Sequence, residues 1–289
     1  MLVSILDVLI AGLILGGIYA LIAMGLSLQY GVARVLNVAH GEFIMLGAMT
    51  TWTLYTMWNI HPLLSVAISG PVIFAIGYLL HWTLFRYLRR SSASAAAFES
   101  NSILVAFGLL FIIQNLAKTG WTSRYRSYDY LNIPVDLLGS TFTANRLLAL
   151  VIAVGIGVAF FIFLTRTRLG KAIRAAAQDA VTARLMGVNI NVVLALCFGF
   201  GALLAGIAGT LVSMFQTIYA GMGMEYTVVA IIVVVLGGMG SIPGSFIGGF
   251  VLGIVGSVVT KFEPSLALVA YYAIFMLLLI LKPTGIMGK

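Results

Sequence analysis

The stretch "YTVVAIIVVVLGGMGSIPGSFIGGFVLGIVGSVVT", residues 226–260, runs for 35 residues without an Asp, Glu, Lys or Arg. As a single helix it would reach about 50 Å, well beyond the roughly 30 Å of a bilayer's hydrocarbon core. It must therefore break, and the break is written as "LGGMGSIPG", residues 236–244. Glycine and proline at that density end one element and open the next. The stretch predicts two short apolar helices joined by irregular backbone.

The rest of the chain has the same character. Of 289 residues, 62% are hydrophobic and only 8% charged, with a mean hydropathy of +1.12, whereas a soluble domain carries about 25% charged residues. This is the composition of an integral membrane protein. The formal charge of +8 does not mark a nucleic-acid surface, because the basic residues fall in short breaks between apolar runs. Asp7 precedes the first run and no basic residue does, so that run lacks the positive flank of a cleaved signal and reads as a retained helix. A lone cysteine, Cys197, excludes a disulfide framework and a cysteine zinc cluster and reads as a packing residue.

Charge-free runs convert into crossings at about 20 residues each. Residues 8–33 hold one. The interval 43–85, broken at His61-Pro62, holds two, and 102–117 and 147–165 hold one each. Residues 191–214, rich in Gly and Ala, hold another, 226–260 holds two, and 266–281, ending at Lys282-Pro283, is the last. The expectation is an all-α membrane domain spanning 1–289 with about nine transmembrane segments, in a range of roughly eight to ten.

Lys and Arg are enriched in cytoplasmic loops. With the N-terminus outside and the C-terminus inside, Arg34, Arg86, Arg89, Arg90, Arg166, Arg168, Lys171, Arg174, Arg184, Lys282 and Lys289 fall on the inner face. Only Lys118, Arg124, Arg126, Arg146 and Lys261 fall outside. Three polar intervals remain: 86–101, read as cytoplasmic and flexible; 118–145, an external loop rich in Tyr and Trp; and 166–190, cytoplasmic.

Chemical motifs are sparse. The nearest approach to a phosphate-binding loop is "TRTRLGKA", 165–172, where Thr165 stands for the first glycine and Ala172 for the hydroxyl residue, so this chain alone hydrolyses no nucleotide. His40-Gly41-Glu42 matches the H-x-E of zinc deaminases, but the paired cysteines are missing, as is the His pair of a metalloprotease. No metal site and no catalytic set follows. The interval "RVLNVAHGEFIMLG", 34–47, nevertheless places Asn37, His40 and Glu42 in apolar surroundings. Two readings stand: a functional intramembrane group, since charge in lipid is costly, or a cytoplasmic hairpin whose residues are solvated or cap helix ends.

"GKAIRAAAQDAVTARLMG", 170–187, is rich in helix formers and ends in glycine, which predicts a short helix outside the membrane. Leu169, Ile173, Val181, Leu185 and Met186 form an apolar stripe beside Arg174, Gln178 and Arg184. Such a helix fits either a groove in a partner protein or the headgroup region of the bilayer.

Taken together, "GLSLQYGVARVLNVAHGEFIMLGA" (25–48), "LGKAIRAAAQDAVTARLMGVN" (169–189) and "LGGMGSIPGSFIGGFVLG" (236–253) resemble the permease subunits of ATP-binding-cassette importers for branched-chain amino acids. The resemblance covers nearly the whole chain and is to the shorter of the two permease types. It implies a coupling helix within 166–190, with Arg174, Ala175, Ala176, Gln178, Asp179, Ala183 and Gly187 against the ATPase. It implies a translocation path or gate near Asn37, His40 and Glu42. The glycine break with Gly237, Gly238 and Gly240 is read either as backbone lining that path or as close helix packing.

The resemblance further implies a second permease, two ATPase subunits that use ATP and Mg, and a periplasmic binding protein that selects the solute. No cofactor is expected on this chain, nor any bond chemistry. The implied setting is a bacterial inner membrane. Urea, short amides and aromatic or other carboxylates are solutes of the same importer class, and an ion-coupled transporter or channel acting alone is the reading from another class.

Overall fold

The computed structural model describes residues 2–137, 139–282 and 284–288; Pro283 and Lys289, both used in the sequence reading, lie outside the described residues. The chain is a helical bundle: α1 (Leu2–Ala33), α2 (His40–Trp58), α3 (Pro62–Leu80), α4 (Arg86–Ser91), α5 (Ala95–Trp121), α6 (Ala144–Arg166), α7 (Arg168–Gln178), α8 (Ala180–Leu185), α9 (Ile190–Ser213), α10 (Gly223–Gly237), α11 (Ile242–Phe262) and α12 (Ala267–Leu281). A π-helical turn, His81–Phe85, joins α3 to α4, and a 3-10 turn, Pro264–Leu266, precedes α12.

Seven spans are long and apolar enough to cross a membrane among the described residues: Ile5–Ala33, Pro62–Ser91, Ala95–Trp121, Ala144–Arg166, Ile190–Ser213, Ile242–Phe262 and Pro264–Leu281. Two helices differ from these. α10 has 15 residues, about 22 Å of helix and short of a full crossing. α2 has 19 residues, of which eleven are buried in the bundle.

One expectation needs correction. The interval 86–101 is not flexible: α3 runs on through the π turn and α4 to Ser91, and after three residues α5 begins at Ala95. The Ser94 hydroxyl caps α5 by accepting from the Ala97 amide at 3.1 Å. Arg89 donates to the Ala33 carbonyl at 2.5 Å, closing the C-terminus of α1, and its guanidinium lies 4.7 Å from the Phe98 ring. The all-α expectation holds, with one short addition in the loop after α5: β1 (Pro134–Leu137) and β2 (Ser140–Thr143) form an antiparallel hairpin in register from Pro134 opposite Thr143 to Leu137 opposite Ser140. Gly139, at φ 87°, supplies the left-handed turn.

The core is built on α9, the most deeply buried of the spans. It packs on α1, α2 and α3 through small residues. A Cβ on Gly201 would stand 2.6 Å from the Gln29 side chain of α1, and one on Gly206 would stand 2.6 Å from Ile73 of α3. α1 and α11 form the other tight pair, antiparallel, with Gly12 facing Ile254 and Gly16 facing Phe250. Without a hydrophobic driving force between helices in lipid, such close backbone approach supplies the attraction. α12 lies at the periphery and buries only Tyr271.

The glycine seam of α1 and α11 generates a direct test. A Cβ on Gly253 would overlap the backbone of Gly16, whereas Gly155 on α6 has open space around it. Gly253→Val is expected to cost about 2 kcal/mol or more through overpacking, read as a lowered Tm of the purified protein in detergent. Gly155→Ala is expected to leave Tm unchanged or slightly raised.

Candidate functional site

The site is built where two helices begin inside the protein. α1 ends at Ala33, yet the His40 ring bonds the Ile22 carbonyl at 3.0 Å. Ala33 lies eleven positions beyond Ile22, about 16 Å of helix, so residues 34–39 climb back along α1 before α2 starts. Asn37 marks the climb: its amide donates to Gln29 Oε1 at 3.3 Å, its own oxygen accepts from the Ala39 amide at 3.2 Å, and Gln29 donates to the Phe198 carbonyl of α9 at 3.3 Å.

From this start α2 runs toward the hairpin end, where Tyr55 donates to the Asp129 carbonyl and Trp121 to Thr53. α10 runs the opposite way. Its N-terminus sits beside the N-terminus of α2, and its C-terminus lies at the end carrying Gly31 and Gly240. The two starts are pinned together. Thr227 Oγ1 of α10 accepts from the Gly41 amide at 2.8 Å and lies 3.1 Å from the Val38 carbonyl. A side chain on Gly41 would overlap the Gly223 carbonyl, so only glycine lets the two helix starts meet.

Asn37, His40 and Glu42 are all buried, and Glu42 and His40 have no exposed surface. These side chains are not solvated, and Asn37 caps the start of α2. A carbonyl only accepts, so the His40 proton sits on Nε2, and Nδ1 has no partner. Glu42, in the first turn of α2, faces the first residue of α10: a Cβ on Gly223 would be 2.6 Å from Oε1 and 2.9 Å from Oε2. Neither carboxylate oxygen has a hydrogen-bond partner. A carboxylate of this kind beside a helix N-terminus sits in a favourable field.

Gly237, Gly238 and Gly240 lie elsewhere, at the turn between α10 and α11. Gly237 faces the Gly244 backbone, Gly238 (φ 100°) faces residues 287–288, and Gly240 (φ 85°) faces Gly31. They make close backbone contacts there, and the packing reading is the one this geometry supports. Sequence reasoning missed one partner of this turn. The C-terminal segment folds back so that the Ile286 and Met287 amides donate to the Leu236 and Gly237 carbonyls at 2.8 and 3.1 Å, satisfying the last turn of α10. It missed Thr227 as well, since a lone threonine in an apolar run carries no signal of its distant partner.

The interval 166–190 leaves the bundle as two helices rather than the single helix expected. Asp179, extended at φ −152°, ends α7 and caps α8, accepting from the Val181 and Thr182 amides at 2.8 and 3.2 Å. The Thr182 hydroxyl and the amides of Thr182 and Val181 hold its carboxyl below the ordinary range, so the cap persists at neutral pH and is lost only as pH falls through that lowered value. Gly187, at φ 86°, turns the chain after α8, with its amide on the Arg184 carbonyl at 3.0 Å.

The apolar stripe divides between two faces. Ile173, Ala176 and Ala183 are buried against the bundle, and Ala175 is half-buried. Val181, Leu185 and Met186 are 71%, 82% and 81% exposed, alongside exposed Arg174, Gln178, Asp179 and Arg184. Small residues at 176 and 183 thus serve internal packing and do not offer a surface for close approach by a partner.

At the opposite end the loop after α5 is ordered by aromatic contacts. Arg126 stacks 4.0 Å from the Trp52 ring and donates to the Trp121 carbonyl, and its backbone pairs with Ile218. Tyr128 bonds Ser213 at 2.8 Å, and burial pushes its phenol up to about 12, which keeps it neutral. Tyr130 bonds His61 at 2.7 Å. Arg124, Tyr125 and Asp129 remain exposed.

Residues 8–281 match the family model for the permease component of the branched-chain amino acid transport system. The chain is 31% identical to the high-affinity branched-chain amino acid transport system permease protein BraD of Pseudomonas aeruginosa, over 97% of this chain and 95% of that protein. It is 30% identical to the corresponding LivH protein of Escherichia coli, over 96% and 94%. Against the LivM permease of Escherichia coli it is 23% identical, over 93% of this chain and 68% of that protein. With a match that spans the helical bundle from α1 to the end of α12, the chain belongs to the family of branched-chain amino acid transport system permease components.

Proposed function

We propose that this chain is the LivH-type permease subunit of an ATP-driven importer, and that with a second, LivM-like permease it forms the path for branched-chain amino acids across a bacterial inner membrane. Two ATPase subunits and a periplasmic binding protein complete the assembly. In this reading the N-terminus is outside, the C-terminus is inside, and α2 and α10 are counted with the seven long spans. α7 and α8 are the coupling segment, and Asn37, His40 and Glu42 are the polar groups of the path.

The observation that carries the reading is the exposed knuckle of Val181, Leu185 and Met186, ringed by Arg174, Gln178, Asp179 and Arg184 on a segment outside the spanning helices. Apolar side chains that exposed on a capped, rigid turn fit a protein groove, where such anchors contribute most of the affinity. α7 also packs on α1 and α9, the helices that hold His40 and Gln29, so a push on the knuckle bears directly on the helices around the interior site.

Replacing Leu185 and Met186 together by Asp is expected to leave the protein in the membrane and paired with its partner permease. ATPase copurification should fall about tenfold or more, as for loss of a buried interface anchor. Gly187→Val, strained at its left-handed backbone, is expected to act in the same direction. Unchanged copurification in both would return α8 to contact with lipid headgroups. Ala176→Trp, by contrast, is expected to disturb folding, because Ala176 is buried within the chain.

The orientation is tested separately. Reporters inserted after Arg90 and at Gln178 are expected on the cytoplasmic side, and one at Tyr128 on the outer side. A cytoplasmic reporter at Tyr128 would invert the map.

A further inference from the structure

The paired helix starts contain a carboxylate whose surroundings are unlike those of an ordinary structural residue. Glu42 is fully buried, both of its oxygens lack partners, and it points at the first residue of α10. The first-turn amides of a helix have no intrahelical acceptor, and they carry partial positive charge. A negative group and a positive helix start therefore stand in direct contact, since a side chain on Gly41 would overlap the Gly223 carbonyl and one on Gly223 would overlap the Glu42 carboxylate.

α5 borders the same place from another direction. Lys118 on that helix donates its ammonium to Gln114 Oε1 at 3.2 Å. Gln114 in turn lies beside Gly221, just ahead of α10. A buried carboxylate, a helix N-terminus and, through Gln114, an ammonium thus adjoin, while Glu225 in the first turn of α10 is exposed and accepts from the Tyr219 hydroxyl.

We propose that this junction is a recognition point for a zwitterion, with Glu42 taking the α-ammonium of the transported amino acid and the α10 first turn together with Lys118 taking its carboxylate. The assignment rests on the importer reading above and deepens it to the level of the solute's charged groups. Because Glu42 is enclosed, the point opens only when the starts of α2 and α10 separate, the contact made by Gly41 and Thr227. A neutral amide such as urea offers no ammonium, and a simple carboxylate would meet the Glu42 charge. The geometry thus selects among the solutes of this importer class.

The experiment is leucine uptake by liposomes carrying the complete importer with saturating binding protein, measured together with ATP hydrolysis. Delivery by the binding protein is common to all variants, so leucine transported per ATP isolates the permease step. Glu42→Gln is expected to lower that ratio about tenfold or more, the loss expected for one hydrogen bond to a charged group, while ATP hydrolysis stimulated by the liganded binding protein persists. Glu42→Asp, which keeps the charge, is expected to retain most of the ratio.

A Glu42→Gln ratio equal to wild type overturns the proposal, as does an Asp variant as impaired as the Gln variant. A parallel fall in uptake and hydrolysis assigns Glu42 a structural role and also overturns it. Should Glu42→Gln fail to assemble, Lys118→Met tests the carboxylate half: a lowered ratio supports the site, and an unchanged one contradicts it. A wild-type complex that accumulates no branched-chain amino acid overturns the parent reading instead, which keeps the two failures apart.

Discussion

The hydrogen bond from the Gly41 amide to Thr227 Oγ1 is the point on which the interior of this bundle turns. In an apolar medium every backbone polar group must be satisfied within the protein, and irregular backbone survives only where it is buried in protein or lines a cavity. Starting two helices in the interior leaves first-turn amides without helical acceptors at the most expensive place for them. Thr227 answers one of them from the neighbouring helix, the Asn37 backbone carbonyl answers that of His40, and glycine at 41 allows the backbones to come close enough for this. The climb of residues 34–39, the short length of α10 and the burial of His40 and Glu42 all follow from that arrangement.

The two ends of the molecule are organised by different physics. At one end Arg126, Trp52, Trp121, Tyr128, Tyr130 and His61 form a set of stacked and hydrogen-bonded rings that order a loop otherwise free to move. At the other, α7 and α8 are held by packing of Ile173, Ala176 and Ala183, and they present a small apolar surface outward. α1 connects the regions. Its C-terminus is closed by Arg89, its middle receives His40, and its N-terminal half is locked to α11 through glycines. Motion of α7 against α1 would therefore be transmitted as displacement of a rigid element.

Much of the fold was readable in the sequence because apolar run length and charge breaks act locally. The turn at 236–244 and the helix boundary at His61-Pro62 were both written in residues that stop helices, and the family was carried by three motifs in order. What escaped was set by distant contacts. The continuity of α3 with α4 across residues 86–91 depends on Arg89 reaching Ala33. The division of 170–187 into two helices depends on Asp179 preferring the cap of α8 to the interior of a longer helix, a choice that alanine-rich propensity alone does not predict. The inward direction of Ala176 and Ala183 was invisible because alanine fits a buried face and a docking face equally well. Asn37, His40 and Glu42 were legible as unusual residues, but their place at the joined starts of α2 and α10 required Thr227, some 190 positions away.

The central claim is that α2 begins in the protein interior and not in a loop exposed to water. It is tested most directly by thiol labelling in a Cys197→Ser background, with single cysteines at positions 42, 58 and 185 treated with a membrane-impermeant reagent from each side of the membrane in turn. Cysteine at 42 is expected to be protected from both sides in the resting complex, while those at 58 and 185 label from opposite sides. Rapid labelling of position 42 from the same side as 185 would place residues 34–42 in solvent and contradict the account.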